Sequence, residues 1–295
     1  MRTKHTAPIA NTTLSLSITM PFGQSGRSIP CGIFKYIGYS LQWDVVDAHF
    51  VRYKGPTMHN LSVCFLGDSL IDRPSIVVDN PHFNLPAIGN AVLVRGHETG
   101  GFYKLVSQRL IVRFPQQALS FFKFAVGGST VRDVEQQVHA SLSVAPNPTV
   151  SIVCVGINDC MRAFQGRHAE GVEMNEFIER YSRIVDALCS RSRLAVCICE
   201  PIGDVGEDTV AIREKLKRYN GSIASLVSQS ERKNLTCVDL FTRFDEVNAA
   251  LSTRASQPPL WTDGVHLSEI GNLLAAEEII RALDKAGIDQ LIVSA

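Results

Sequence analysis

Short apolar runs recur from residue 61 to residue 240, with segments of helical periodicity between them. That alternation restricts the possible folds more than any other feature of the chain. The runs are Leu61–Leu66, Phe121–Val126, Val150–Val155, Leu194–Cys199 and Thr236–Leu240. Each is rich in Val, Ile, Phe, Leu or Cys, and Gly, Asp, Asn or Pro follows several of them closely, as suits strands buried on both faces of a parallel sheet. Apolar residues at helical spacing fill the intervals: Phe102, Leu105, Val106 and Leu110; Val131, Val134, Val138 and Leu142; Phe177, Ile178, Tyr181, Ile184, Val185 and Leu188; Ile212, Leu216, Tyr219, Ile223 and Leu226. A last helix is predicted with Ser268 as N-cap and Leu273, Ala276, Ile280 and Leu283 on its inner face. Strands alternating with helices imply right-handed crossovers and a parallel sheet covered on both faces.

The pattern runs without repeat or linker from about residue 59 to 295, which reads as one domain. Residues 1–58 differ: polar at first, then richer in aromatic and β-branched residues such as Phe34, Tyr36, Trp43 and Val45. They are expected to form an irregular or β-rich extension packed on that domain. Residues 71–99, with Pro74, Pro81 and Pro86, read as a long insertion after the first strand and a candidate lid.

With 29 basic and 29 acidic side chains the chain has no net charge, so it offers no electrostatic case for nucleic acid or an anionic membrane. No run approaches the ~18 apolar residues of a membrane span. Of eight cysteines, Cys64, Cys154, Cys197, Cys199 and Cys237 lie inside strand-like runs, and no Cys-x-x-Cys pair occurs. Reduced core thiols point to the cytoplasm. The sequons at Asn11, Asn60, Asn220 and Asn234 and the start Met1-Arg2-Thr3-Lys4 would fit a secreted alternative.

Four turns carry chemistry: Gly67-Asp68-Ser69, Gly127-Gly128, Gly156-Ile157-Asn158-Asp159 and Asp263-Gly264-Val265-His266. The first three follow strands, so a parallel sheet brings them to one edge. Gly-Asp-Ser alone is as readily a turn with Ser69 as a helix cap. Together the four supply what ester hydrolysis requires. Ser69 can attack if a histidine takes its proton, and His266 lies three residues from a carboxylate, Asp263, able to fix its tautomer. The amides of Ser69 and Gly128 and the side chain of Asn158 are candidate donors to the tetrahedral oxyanion. Asp159 is expected to be structural. Glu200 and Asp239, at strand ends, are candidates to line the pocket but are expected at solvated loop positions. His82, His97, His139 and His168 show no spacing of a metal site and read as surface residues.

These residues resemble the GDSL or SGNH hydrolases over about residues 61–287. Gly67-Asp68-Ser69-Leu70 is similar to that family's first block, with Ser69 as nucleophile. Gly127-Gly128-Ser129-Thr130 is similar to the second, Gly128 being the better match for the oxyanion glycine. Gly156-Ile157-Asn158-Asp159 resembles the third and Asp263-Gly264-Val265-His266 the fifth. Lys123 and Ala125 occupy a stretch where the family often has an asparagine. The resemblance implies a flavodoxin-like three-layer α/β/α sandwich with a five-stranded parallel sheet. It also implies a serine esterase acting on a small acyl ester, acetyl or short-chain, of a carbohydrate or lipid-like alcohol, with no cofactor and no metal.

Other classes lack their signatures. No Gly-x-Ser-x-Gly elbow, Gly-x-x-x-x-Gly-Lys loop or Gly-x-Gly-x-x-Gly fingerprint occurs. The alternatives that use the same residues are an acyltransferase and a non-catalytic relative that only binds.

Overall fold

The computed structural model describes residues 60–72, 101–252 and 260–293. The whole of the 1–58 extension, and all of the 71–99 insertion but Ile71 and Asp72, lie outside the described residues.

In chain order the elements are β1 (Asn60–Gly67), α1 (Ser69–Asp72), α2 (Phe102–Arg113), β2 (Ala118–Lys123), α3 (Val131–Val144), β3 (Val150–Cys154) and α4 (Ile157–Phe164), followed by α5 (Met174–Arg191), β4 (Leu194–Cys199), α6 (Thr209–Ser228), β5 (Leu235–Asp239), α7 (Leu240–Ser252), α8 (Glu269–Lys285) and α9 (Ile288–Val293). Among the described residues the strands form one five-stranded sheet, order β2-β1-β3-β4-β5, and every pairing is parallel. The expected doubly wound architecture is therefore present. Between β1 and β3 the strand order reverses, and the crevice beyond their carboxyl ends is where such sheets bind ligands.

The pleat divides the core in two. Leu61, Val63 and Phe65 of β1, Val150 and Ile152 of β3, and Leu194, Val196 and Ile198 of β4 pack with α2, α7, α8 and α9. Cys64, Leu66, Val153, Ala195, Cys197 and Cys199 pack on the other face with α3, α4, α5 and α6. Strands buried on both sides read as continuous apolar runs, which is why β1, β3 and β4 are legible in sequence. Truncating fully buried Phe65 to Ala is expected to cost about 3–5 kcal/mol.

The structure corrects several expectations. The second strand begins at Ala118 rather than Phe121, because it is a half-buried edge strand that needs no continuous apolar run. Past Lys123 the chain still follows β1, with Phe124 N–H donating to Phe65 O (2.8 Å) and Val126 N–H to Gly67 O (3.1 Å). Ile178 and Leu273, placed above on inner helix faces, are exposed. Helix α8 instead turns Asn272, Ala275, Ala276, Ile279 and Leu283 inward, with Ser268 capping it as expected through Gly271 N–H (3.1 Å). Helices α4 and α7 were not anticipated. No helix among the described residues is long and apolar enough to cross a membrane.

Candidate active site

Strand β1 ends at Gly67, whose φ is +151°, and a Cβ there would lie 2.0 Å from the Cys154 carbonyl oxygen of β3. Only glycine permits this approach, and it aims the chain out of the sheet edge. Buried Asp68 makes the turn: Oδ1 accepts Leu70 N–H (3.0 Å) and its carbonyl accepts Ile71 N–H (3.2 Å). Ser69 thus becomes the first residue of α1, with its hydroxyl at the crevice. From beneath, Gln137 of α3 grips the same peptide. Its Oε1 accepts Gly67 N–H (2.8 Å), and its Nε2 donates to Gly67 O (2.9 Å) and Ser129 Oγ (3.0 Å).

The opposite wall is the loop before α8. An antiparallel bridge between Trp261 and Leu267 closes its base, with Thr262 N–H donating to His266 O (2.8 Å) and Ser268 N–H to Leu260 O (2.9 Å). Inside it, Asp263 Oδ1 accepts the N–H groups of His266 (2.7 Å) and Val265 (3.0 Å). Asp263 Oδ2 lies 2.6 Å from His266 Nδ1, and His266 Nε2 lies 3.0 Å from Ser69 Oγ. Partial burial works to raise the Asp263 pKa, but the His266 amide, the imidazole and the Val265 amide outweigh it, and the group lies below the ordinary carboxylate range. An aspartate held anionic against Nδ1 favours the tautomer with its proton there, leaving Nε2 to accept from the serine hydroxyl.

The second and third turns approach from the sheet edge. Asn158, in the first turn of α4, donates through Nδ2 to Asp68 Oδ2 (2.8 Å) and Ser129 O (3.1 Å). Gly128, at φ +83°, turns its carbonyl toward Arg162 Nη2 (2.7 Å), and a Cβ there would lie 2.8 Å from that nitrogen. Sequence reasoning missed Arg162, four residues beyond Asn158 on the same helix, as well as Gln137. No local spacing signals either, since Arg162 acts on a backbone carbonyl 34 residues away and Gln137 on one 70 residues away.

Under these turns lies a floor of buried carboxyls. Asp159 accepts Val131 N–H (3.0 Å) at the start of α3, and burial raises its pKa to about 7. Its expected structural role holds. Glu200 corrects an expectation: it is fully buried, not solvated, because β4 delivers it beneath the Gly156 turn. Burial, then the charge of Asp68, pushes its pKa well above the ordinary range. Asp239 is exposed and caps α7 by accepting Thr242 N–H (2.9 Å). His139 and His168 are exposed, while His82 and His97 lie outside the described residues. No cluster of His, Cys, Asp and Glu among the described residues is suited to a metal ion. A groove of about 560 Å³ borders the His266 loop through Gly264, with Trp261, Arg213 and Asn248 also lining it, but Ser69 does not line it.

Comparison with known proteins agrees with this architecture. LAE5, an α/β hydrolase enzyme from the metagenome of Lake Arreo, superposes with a TM-score of 0.58 at 20% identity, covering 76% of this chain and 95% of that one. Axe2, an acetylxylan esterase from Geobacillus stearothermophilus, gives 0.57 at 19%, covering 77% and 94%. At these identities the likeness is one of fold. A curated relative, the GDSL esterase/lipase WDL1 of Oryza sativa subsp. japonica, is 28% identical over 151 residues, 48% of this chain. The chain spans 56% of that relative's length. The family described as GDSL-like lipase/acylhydrolase matches residues 65–274, which contain Ser69, Gly128, Asn158, Asp263 and His266. The chain belongs to the GDSL-like lipase/acylhydrolase family.

Proposed function

We propose that the protein is a serine esterase that hydrolyses small acyl esters, acetyl or short-chain, by a Ser69–His266–Asp263 relay. The observation that carries this reading is the unbroken hydrogen-bonded line Ser69 Oγ–His266 Nε2, His266 Nδ1–Asp263 Oδ2, at 3.0 and 2.6 Å. As Ser69 Oγ bonds to the ester carbonyl carbon, its proton passes to His266 Nε2. The charge that develops on the carbonyl oxygen is met by the amides of Ser69 and Gly128 and by Asn158 Nδ2, which gives up one of its present acceptors to do so. Collapse expels the alcohol, which takes the proton from His266. Water, deprotonated by the same nitrogen, then cleaves acyl-Ser69 to the acid. Asp263 holds the imidazole upright and balances its charge throughout.

The test is hydrolysis of p-nitrophenyl acetate and p-nitrophenyl butyrate by wild type and Ser69→Ala, with fluorophosphonate labelling in parallel. Turnover and labelling by wild type, both abolished in Ser69→Ala, are expected, with acetate preferred. A folded wild type that neither turns over these esters nor labels would overturn the reading.

A further inference from the structure

Helix α4 carries Asn158, yet its own N-cap residue offers no side chain to its first turn. The N-cap is Gly156, which has no side chain and makes no side-chain cap bond. The N–H groups of a first helical turn lack acceptors within the helix and need them from elsewhere. For Ile157 the acceptor comes from a different strand: its N–H donates to Glu200 Oε2 at 2.6 Å.

Glu200 is itself anchored more firmly than a surface acid would be. Its N–H donates to Asn220 Oδ1 (3.1 Å) and its carbonyl accepts from Asn220 Nδ2 (2.9 Å), so α6 fixes the backbone at the end of β4. The second carboxyl oxygen accepts the Cys154 thiol at 3.2 Å. Both oxygens are thereby committed, and solvent reaches neither.

We propose that Glu200 is a positioning residue: by holding Ile157 N–H it fixes the first turn of α4 and so places the Asn158 side-chain amide at the nucleophile turn. This rests on the esterase reading above, in which Asn158 meets the oxyanion. Asn158 directly follows the anchored residue, and its amide bridges Asp68 Oδ2 and Ser129 O. A first turn freed from Glu200 can shift, and a displacement of about 1 Å at a catalytic group can cost roughly 10²-fold in rate.

The environment specifies what kind of acceptor is needed. Asp68 and Asp159 are buried close by, and burial first, then their charges, push the Glu200 carboxyl well above the ordinary carboxylate range. Reach should matter and ionisation should not. Gln keeps the length and a carbonyl oxygen; Asp keeps the acid but withdraws it by one methylene.

The experiment compares kcat and KM for p-nitrophenyl acetate in wild type, Glu200→Gln and Glu200→Asp, normalised to fluorophosphonate-labelled Ser69, with thermal unfolding of each. Glu200→Asp is expected to lose kcat by about 10–100-fold with KM within about twofold. Glu200→Gln should recover kcat to within about fivefold of wild type. A merely structural role would lower the unfolding temperature and leave kcat per labelled serine unchanged. Wild-type kcat in folded Glu200→Asp, equal losses in both variants, or a loss confined to KM would each overturn the proposal while wild-type activity leaves the esterase reading standing. An inactive, unlabelled wild type would overturn both. Amide hydrogen exchange of wild type needs no variant: Ile157 N–H should be protected, and exchange at the rate of a free helix terminus would also sink the idea.

Discussion

Asp263 and Glu200 both lie by the carboxyl edge of the same sheet, but in opposite surroundings. About half of the Asp263 side chain is exposed (52%), and two loop amides and an imidazole hold its pKa down. Glu200 has no exposure, and burial together with Asp68 pushes its pKa up. On the rim a carboxylate faces the His266 imidazole as an anion. In the floor a carboxyl accepts the N–H of a helix terminus. The same side-chain chemistry meets two environments: hydrogen-bond donors pull the first pKa down, and burial pushes the second up. The rim can therefore be altered with little effect on folding, whereas the floor couples the site to stability.

The largest effect should come from the rim. His266→Ala is expected to reduce kcat/KM for p-nitrophenyl acetate by about 10⁴-fold or more, with the unfolding temperature moved by no more than a few degrees. A collapse in stability would show that the rim is structural after all. Asn158→Ala stands at the junction and should lower kcat by about 10²–10³ with modest change in KM, the usual effect of losing an oxyanion donor. A wild-type rate would remove Asn158 from the reaction.

The smallest effect belongs to the floor and is read as pH dependence of stability. Asp159 titrates near 7 when folded and near 4 when unfolded, so between those values the folded state binds more protons. Its contribution therefore falls as pH rises through that window and is constant above about 7. Asp159→Asn should remove a slope of up to ~1.4 kcal/mol per pH unit from the difference between the two proteins, measured by urea unfolding at pH 4.5, 6 and 7.5. Parallel curves for wild type and variant would mean that Asp159 is ionised in the fold, and the contrast between rim and floor would narrow.

What sequence could reveal divides along related lines. Strands β1, β3 and β4 show as apolar runs because both their faces are buried, and the four turns stand out because glycine, serine and histidine punctuate those runs. Strand β2 was misplaced by three residues because its burial is partial throughout. Helix α7 escaped notice because it starts directly at Leu240, with Asp239 ending the strand and capping the helix at once. Gln137, Arg162 and Glu200 left no periodic trace, since each acts on backbone atoms 70, 34 and 43 residues away. Nothing in local spacing reports contacts of that range.

The distance along the chain between Ser69 and His266 has a further consequence. The two are 197 residues apart, and the loop bearing His266 leads into α8, whose Asn272 Oδ1 accepts Phe102 N–H (2.8 Å) at the start of α2. At typical synthesis rates His266 follows Ser69 by roughly 10–40 s. For that interval the nascent chain holds a serine with no base beside it. In the proposed relay, docking of α8 then completes the core and delivers the imidazole together, so reactivity would begin only when folding is nearly finished. Fluorophosphonate labelling of Ser69 would accordingly serve as a clock for the last folding step.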